Sequence, residues 1–167
     1  MGTVHAATTD MTPPNEYKVS LQIAAPRLIA AVHARLPTEA VPGTFGRYLD
    51  QVYAAAQRGA VQLDGQNVFV YQDVPEWPKL AYVGFGVGVT APFAAVGAVR
   101  PTQLPTGEVA MTTHVGSYAR LGAAHDAIRD WCRTHGHPLT GQRWEVYGHW
   151  ADDEAELRTD VLYLIER

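Results

Sequence analysis

Gly116-Ser117-Tyr118-Ala119-Arg120-Leu121-Gly122, followed after one helix by Trp144-Glu145-Val146-Tyr147, organises the whole chain, because an earlier stretch shadows it. Leu36-Pro37-Thr38-Glu39-Ala40-Val41-Pro42 stands 80 residues before the first segment, and Phe69-Val70-Tyr71 stands 76 before the second. Each is preceded by a strand-like run (Leu28 to Arg35, Glu108 to Val115) and separated by an amphipathic helix. The chain therefore reads as one unit stated twice, with four extra residues between helix and strand in the first copy. In that alignment Phe69 falls on Glu145. An aromatic in one copy and a carboxylate in the other points to a cleft between the halves with one charged group in it.

Working outward, Tyr17 to Ala24 alternates as a strand until Pro26, and Leu28 to Arg35 is a second strand. Pro37 and Pro42-Gly43 turn into a first helix over Thr44 to Arg58, whose stripe Phe45, Tyr48, Leu49 and Val52 has helical spacing. Gly59 is placed to cap it. Strands follow at Val68 to Gln72 and Leu80 to Val89, joined by a loop containing Trp77. The second unit repeats the order, with strands at Val96 to Leu104 and Glu108 to Val115 and a helix over Tyr118 to His135 that stops at Gly136. Strands at Trp144 to Trp150 and Leu157 to Ile165 close the chain, separated by Asp152-Asp153-Glu154. Hairpin-length links favour antiparallel pairing, so the class is α+β: a tandem strand-helix-strand-strand duplication, a curved antiparallel sheet, two long helices and a central cleft. Residues 1–15 are expected to form a flexible tail, and 16–167 one domain of two repeats, about 16–91 and 92–167.

At 167 residues, 47% apolar and 18% charged, the chain has the balance of a globular domain. A net charge of −4 supplies no basic footprint, so direct nucleic-acid binding is not expected. The lone Cys132 excludes an internal disulfide and fits a reducing cytoplasm. No run of 18 apolar residues exists to span a membrane, and the first fifteen residues lack the pattern of a secretory signal. Cys132, His135 and His137 fall close in sequence, but Cys132 belongs to the apolar stripe of the second helix and no second pair completes a site. Neither a metal nor a cofactor is expected. Gly-x-Ser-x-Gly is missing, which weighs against a serine hydrolase.

In the strand from Trp144, alternation puts Glu145, Tyr147 and His149 on one face and Trp144, Val146 and Trp150 on the other. The partner strand presents Phe69 and Tyr71 on the equivalent face. A carboxylate framed by rings is a sensible receptor for a cation or a polarised aromatic, each ring adding roughly 0.5–2 kcal/mol of cation–π attraction when desolvated. A surface carboxylate paired with Arg143 or Arg158 is the plain alternative. Burial against the rings is expected to raise the pKa of Glu145. Tyr82, Gly84, Gly86 and Gly88 share a nearly bare strand face, expected either to admit a backbone or ligand or to mark a strong bend. His125 replaces Phe45 of the first helix in the second, as a buried neutral ring or as a proton-transfer group facing the cleft. Phe45, Tyr118 at the start of the second helix, His33 and Trp77 complete the ligand-binding candidates.

His114-Val115-Gly116-Ser117-Tyr118-Ala119-Arg120-Leu121-Gly122, Trp144-Glu145-Val146-Tyr147 and Glu156-Leu157-Arg158-Thr159-Asp160-Val161 resemble, in order and spacing, the second unit of the GyrI-like family. That family includes effector-binding domains of bacterial transcription activators and free-standing small-molecule binders. The resemblance covers Tyr17 to the C-terminus and implies a ligand cleft between two modules, with the strand Glu145 central and Tyr147 beside it. It implies amphiphilic, often cationic or aromatic ligands. One branch is similar to hydrolases that open cyclopropane-bearing DNA alkylators.

Three functions follow as expectations. The first is a binder that confers drug or toxin resistance by sequestration, since the tail is too short for a helix-turn-helix reader. The second is a cofactor-independent hydrolase in which Glu145 activates water and Tyr147 or Tyr71 stabilises the developing charge. The third is a protein-binding inhibitor using the acidic loop at Asp152 to Glu156. A homodimer or a protein partner is left open.

Overall fold

The computed structural model describes residues 17–167. The tail expected at 1–15 lies outside the described residues. Eight strands form one antiparallel sheet: β1 (Ser20–Ala24), β2 (Leu28–Pro37), β3 (Leu63–Gln72), β4 (Leu80–Val89), β5 (Arg100–Gln103), β6 (Gly107–Val115), β7 (Leu139–Tyr147) and β8 (Arg158–Ile165). Their order is β1-β6-β8-β7-β3-β4-β2-β5, and the sheet is curved and unclosed. Helix α1 (Val41–Gln57) follows β2, and α2 (Leu121–His135) follows β6. Each unit gives its first strand to the other's half of the sheet: β1 pairs with β6, and β5 with β2.

The halves join through β3 and β7, where Phe69 pairs with Glu145 and Val68 with Val146. The repeat aligns Phe69 with Glu145, so the local twofold axis passes between these two residues. The duplicated frame thus places its one aromatic-for-acid exchange on its own symmetry axis.

Antiparallel partners share a face, so Phe85, Phe69, Glu145 and Val161 form one row across four strands. Phe85 packs beneath Leu49 and Val52 of α1, and Val161 beneath Ile128 and Cys132 of α2. Both helices therefore cover the same face, one on each side of the axis. The opposite face buries Ile29, Val68 and Trp144.

Several boundaries differ from the pattern-based expectation. Helix α1 starts at Val41 rather than Thr44, because Pro42 sits in its first turn, where a missing N–H costs nothing. Tyr118–Arg120 form a 3-10 turn before α2, held by Ser117 Oγ accepting from the Ala119 N–H. Strands β3 and β7 begin five residues earlier than Val68 and Trp144. Register shifts near Gly65 (φ 88°) and Gly141 (φ 94°), themselves 76 residues apart, break the alternation that would reveal them. The strand expected from Val96 shortens to β5, because Gly97 lets Val96 and Val99 close a tight turn first.

The glycine row of β4 is filled from within the chain. A Cβ on Gly84 would meet His33 Nε2 and Val70 Cγ1 at 2.9 Å, and one on Gly86 would meet Ile29 Cδ1 at 2.7 Å and the Ala30 carbonyl oxygen at 2.9 Å. Gly86→Ala is therefore expected to destabilise the fold by about 1–3 kcal/mol, since the Ala30 backbone cannot swing aside. Thermal unfolding checks it, and a melting temperature unchanged within about 2 °C would show that the strands adapt.

Candidate functional site

On the helix-covered face, at the symmetry axis, Glu145 is 4% exposed and hydrogen-bonded on both carboxylate oxygens. The hydroxyls of Tyr71 and Tyr147 donate to Oε1 at 3.1 and 2.6 Å. These two tyrosines are repeat equivalents, so the twofold brings one from each unit onto the same oxygen. His125 Nε2 lies 2.6 Å from Oε2, and His125 Nδ1 lies 2.6 Å from the Tyr163 hydroxyl. The Tyr163 hydroxyl can donate to a neutral Nδ1 or accept from a protonated one, so in either form Nε2–H points at Glu145. In the first unit the equivalent pair is Phe45 and Phe69, with ring centroids 5.6 Å apart.

Two lobes open from this carboxylate, one on each side of the axis. Lobe one, about 590 Å³, lies between Phe45, Phe69, Tyr147, Tyr118 and Trp150. Phe69 stands 5.0 Å from Tyr147, and Tyr118 meets Tyr147 edge-on at 5.4 Å. Among the described residues, no lysine or arginine lines it. Lobe two, about 390 Å³, lies between His125, Trp77, Arg143 and Arg129. Arg143, 4% exposed, ion-pairs with Asp73 through Nη1, and its guanidinium lies 4.3 Å from the Trp77 ring centroid and 5.1 Å from that of Tyr71. A larger groove of about 660 Å³ runs past Tyr17, His114 and Arg120, away from Glu145; its buried His114 is satisfied by the Tyr17 hydroxyl and the Ser117 carbonyl.

A buried acid, hydrogen-bonded by two tyrosine hydroxyls, thus lies at the junction of two equivalent modules. The chain matches the GyrI-like small molecule binding domain over residues 14–165. It belongs to that family. No curated protein matches it by sequence. This GyrI-like domain superposes on the C-terminal domain of EcmrR with a TM-score of 0.72 at 18% identity, covering 91% of this chain and 99% of that one. Against EcmrR in its DNA complex the TM-score is 0.77 at 17% identity, over 96% of this chain and 62% of EcmrR, so the chain spans under two thirds of that protein. SAV2435, solved bound to tetraphenylphosphonium, gives 0.68 at 12% identity, over 89% of this chain and 94% of that one. A hydrolase from Listeria innocua gives 0.59 at 10%, over 96% and 97%. Identities this low establish a shared fold.

The GyrI-like site gathers most of the residues singled out in the sequence. Phe45, Phe69, Tyr71, Tyr118, Glu145 and Tyr147 line lobe one, while Trp77 and His125 line lobe two. Tyr82, Gly86 and His33 are not brought there. His33 pairs with Gly84 and stacks on Tyr82 at 5.8 Å, on the sheet face away from Glu145. Glu145 pairs with neither Arg143 nor Arg158. Trp150, expected on the far face, reaches lobe one because β7 ends at Tyr147 and alternation stops there. Arg143 and Tyr163 also stand beside Glu145; alternation marks Arg143, two residues before Glu145, as sharing its face. Cys132 lies in the α2 core, whereas His135 and His137 stack on Trp131 at 4.3 and 5.4 Å. Among the described residues, no three His, Cys, Asp or Glu side chains gather to hold a metal. No described helix is long and apolar enough to cross a membrane.

The electrostatics of the GyrI-like site correct one expectation. Burial does push the Glu145 carboxyl up, but the hydrogen bond and charge of His125 and the hydroxyls of Tyr147 and Tyr71 outweigh it and hold the group below its ordinary value. Burial and the facing Glu145 push the Tyr71 and Tyr147 phenols well up, and burial takes Tyr163 to about 12, so all three remain donors at neutral pH. A carboxylate whose folded pKa is depressed contributes stability above its ordinary range near 4.5 and loses it as pH falls through the folded value. The stability gap between the native chain and Glu145→Gln should therefore be flat from pH 7 to about 5 and shrink below that, as read by denaturant unfolding. A gap that grows on acidification would mean the carboxyl is held protonated.

Proposed function

We propose that this GyrI-like domain binds an aromatic organic cation, seated in lobe one with Glu145 as its counter-ion. The observation that carries this reading is a nine-tenths buried carboxylate, its pKa held below the ordinary value, at the floor of an aromatic cavity that, among the described residues, no lysine or arginine lines. Charge comes from Glu145, while Phe69, Tyr147 and Trp150 supply faces for stacking and cation–π attraction. Binding of tetraphenylphosphonium by SAV2435, on the same fold, supports the same ligand class here. A resistance role by sequestration accords with such chemistry. Titrating the protein with tetraphenylphosphonium by calorimetry tests the reading; saturable one-to-one binding is expected, and no heat at millimolar ligand would remove its basis.

A second reading, hydrolysis of a cyclopropane-bearing alkylator, is favoured by the linked Tyr163, His125 and Glu145 groups together with the Tyr71 and Tyr147 hydroxyls. Water would attack the ring carbon and give its proton to the Glu145–His125 pair. The ring C–C bond would break toward the conjugated carbonyl, whose oxygen takes a hydrogen bond and then a proton. Because Glu145 already accepts three donors, water would have to displace one, which ranks binding first. Mass spectrometry of such an alkylator incubated with the native chain and with Glu145→Gln separates the readings. A water-added product formed catalytically by the native chain alone supports hydrolysis, and unchanged compound retained by the native chain supports sequestration.

A further inference from the structure

The two lobes are repeat equivalents, yet among the described residues only lobe two is lined by arginine or lysine. Arg143 aligns with Asn67 and Arg129 with Leu49, so each arginine of lobe two has a neutral counterpart in the first unit. The Arg143 guanidinium sits among Trp77, Tyr71 and Tyr163, with centroids at 4.3, 5.1 and 5.9 Å, and is paired with Asp73. Rings around a cation with a carboxylate alongside are what a site for an organic cation requires. In lobe two the chain fills that requirement itself.

We infer that Arg143 makes the site selective for ligands with a single cationic head, rejecting those that would carry a second positive charge into lobe two. This rests on the cation-binding reading above and deepens it. Among the described residues, the two acids lining lobe two each have a donor from the chain, Asp126 from Arg129 and Glu145 Oε2 from His125, and nearby Asp73 is paired with Arg143. A second head would find its aromatic faces taken, and a fixed like charge at close range in a partly desolvated space. A neutral end meets no such obstacle. Tyr71 and Glu145 line both lobes, so a ligand held at Glu145 and long enough to pass Tyr71 brings its second end to Arg143.

The test uses two probes of the same shape. 1-Methyl-4-(4-methylphenyl)pyridinium and 1,1′-dimethyl-4,4′-bipyridinium differ only in a ring carbon replaced by a second cationic nitrogen. The native chain is expected to bind the monocation at least about tenfold more tightly. Arg143→Lys, which keeps the charge, should retain that ratio, and Arg143→Met should bring it to within about threefold of unity. Thermal unfolding of both variants confirms that they are folded, and the native ratio is readable without either. If the native chain binds the monocation in a Glu145-dependent way but takes the dication equally well, the role of Arg143 is overturned while the cation reading stands. If it binds neither probe, both fall. An Arg143→Met ratio as large as the native one assigns the discrimination elsewhere and also overturns the inference.

Discussion

Glu145→Gln should bind tetraphenylphosphonium about 10- to 100-fold more weakly than the native chain, while remaining folded at neutral pH. The expectation comes from charge. A cation held in lobe one lies within contact range of a single carboxylate, and among the described residues the cavity wall contributes no lysine, arginine or second carboxylate. At an effective dielectric constant near 20, a pair about 5 Å apart interacts by about 3 kcal/mol, part of which is offset by desolvating the ligand. Glutamine keeps the fold because it fits the same hydrogen-bond frame. Its carbonyl accepts from the Tyr71 and Tyr147 hydroxyls, and its amide donates to His125 Nε2, whose other nitrogen then donates to Tyr163. A neutral ligand of similar shape should lose less than about threefold, because stacking on Phe69 and Tyr147 is untouched. Calorimetry with the charged and neutral probes decides the matter, and equal losses for both would mean that Glu145 shapes the cavity rather than supplying charge.

Phe85→Ala is expected to cost about 3–5 kcal/mol, lowering the melting temperature by on the order of 10 °C. Phe85 has no exposed surface, stacks in parallel on Tyr48 of α1 at 5.0 Å, and meets Phe69 edge-on at 5.1 Å. Removing it leaves a void beneath α1 that the surrounding close-packed side chains can fill only in part. Phe69 would lose its backing on the side away from Tyr147. The same variant should therefore bind tetraphenylphosphonium more weakly at temperatures where it is fully folded. A fall in melting temperature of less than about 3 °C would show that α1 settles into the void, and intact affinity would show that Phe69 is positioned by Tyr147 and Phe45 alone.

How much of this was legible in the chain depends on the distance over which each signal acts. The duplication, the α+β class and both helices follow from local spacing, because a stripe such as Phe45, Tyr48, Leu49 and Val52 has one periodicity wherever the helix docks. The match of Phe69 to Glu145 is a property of sequence alone, and so is the shared face of Glu145 and Tyr147. Alternation failed where the backbone departs from a regular strand. Gly65 and Gly141 permit bulges that hide the starts of β3 and β7, and the end of β7 at Tyr147 turns Trp150 back into the cavity. The face of His33, Tyr82 and Gly86 relative to Glu145 was also out of reach, since alternation within one strand says which residues agree with each other but not which side of the sheet they occupy. That is fixed by register across β2, β4, β3 and β7.

The sequence by itself determined that there are two equivalent units, that one carries a lone acid where the other carries an aromatic, and that this acid has tyrosine for a neighbour on its face. Tertiary structure alone decided that the acid and the aromatic pair across the symmetry axis, and that both tyrosines reach the same oxygen. It also decided that His125 from α2 helps hold the pKa of the acid below its ordinary value, and that Arg143 lines one of the two lobes with its guanidinium over Trp77. The physical reason is that spacing along a chain specifies which side chains travel together, whereas protonation and cavity shape depend on groups that meet only when distant segments pair. Glu145 with Tyr71 and Arg143 with Asp73 are such meetings, across 74 and 70 residues of chain.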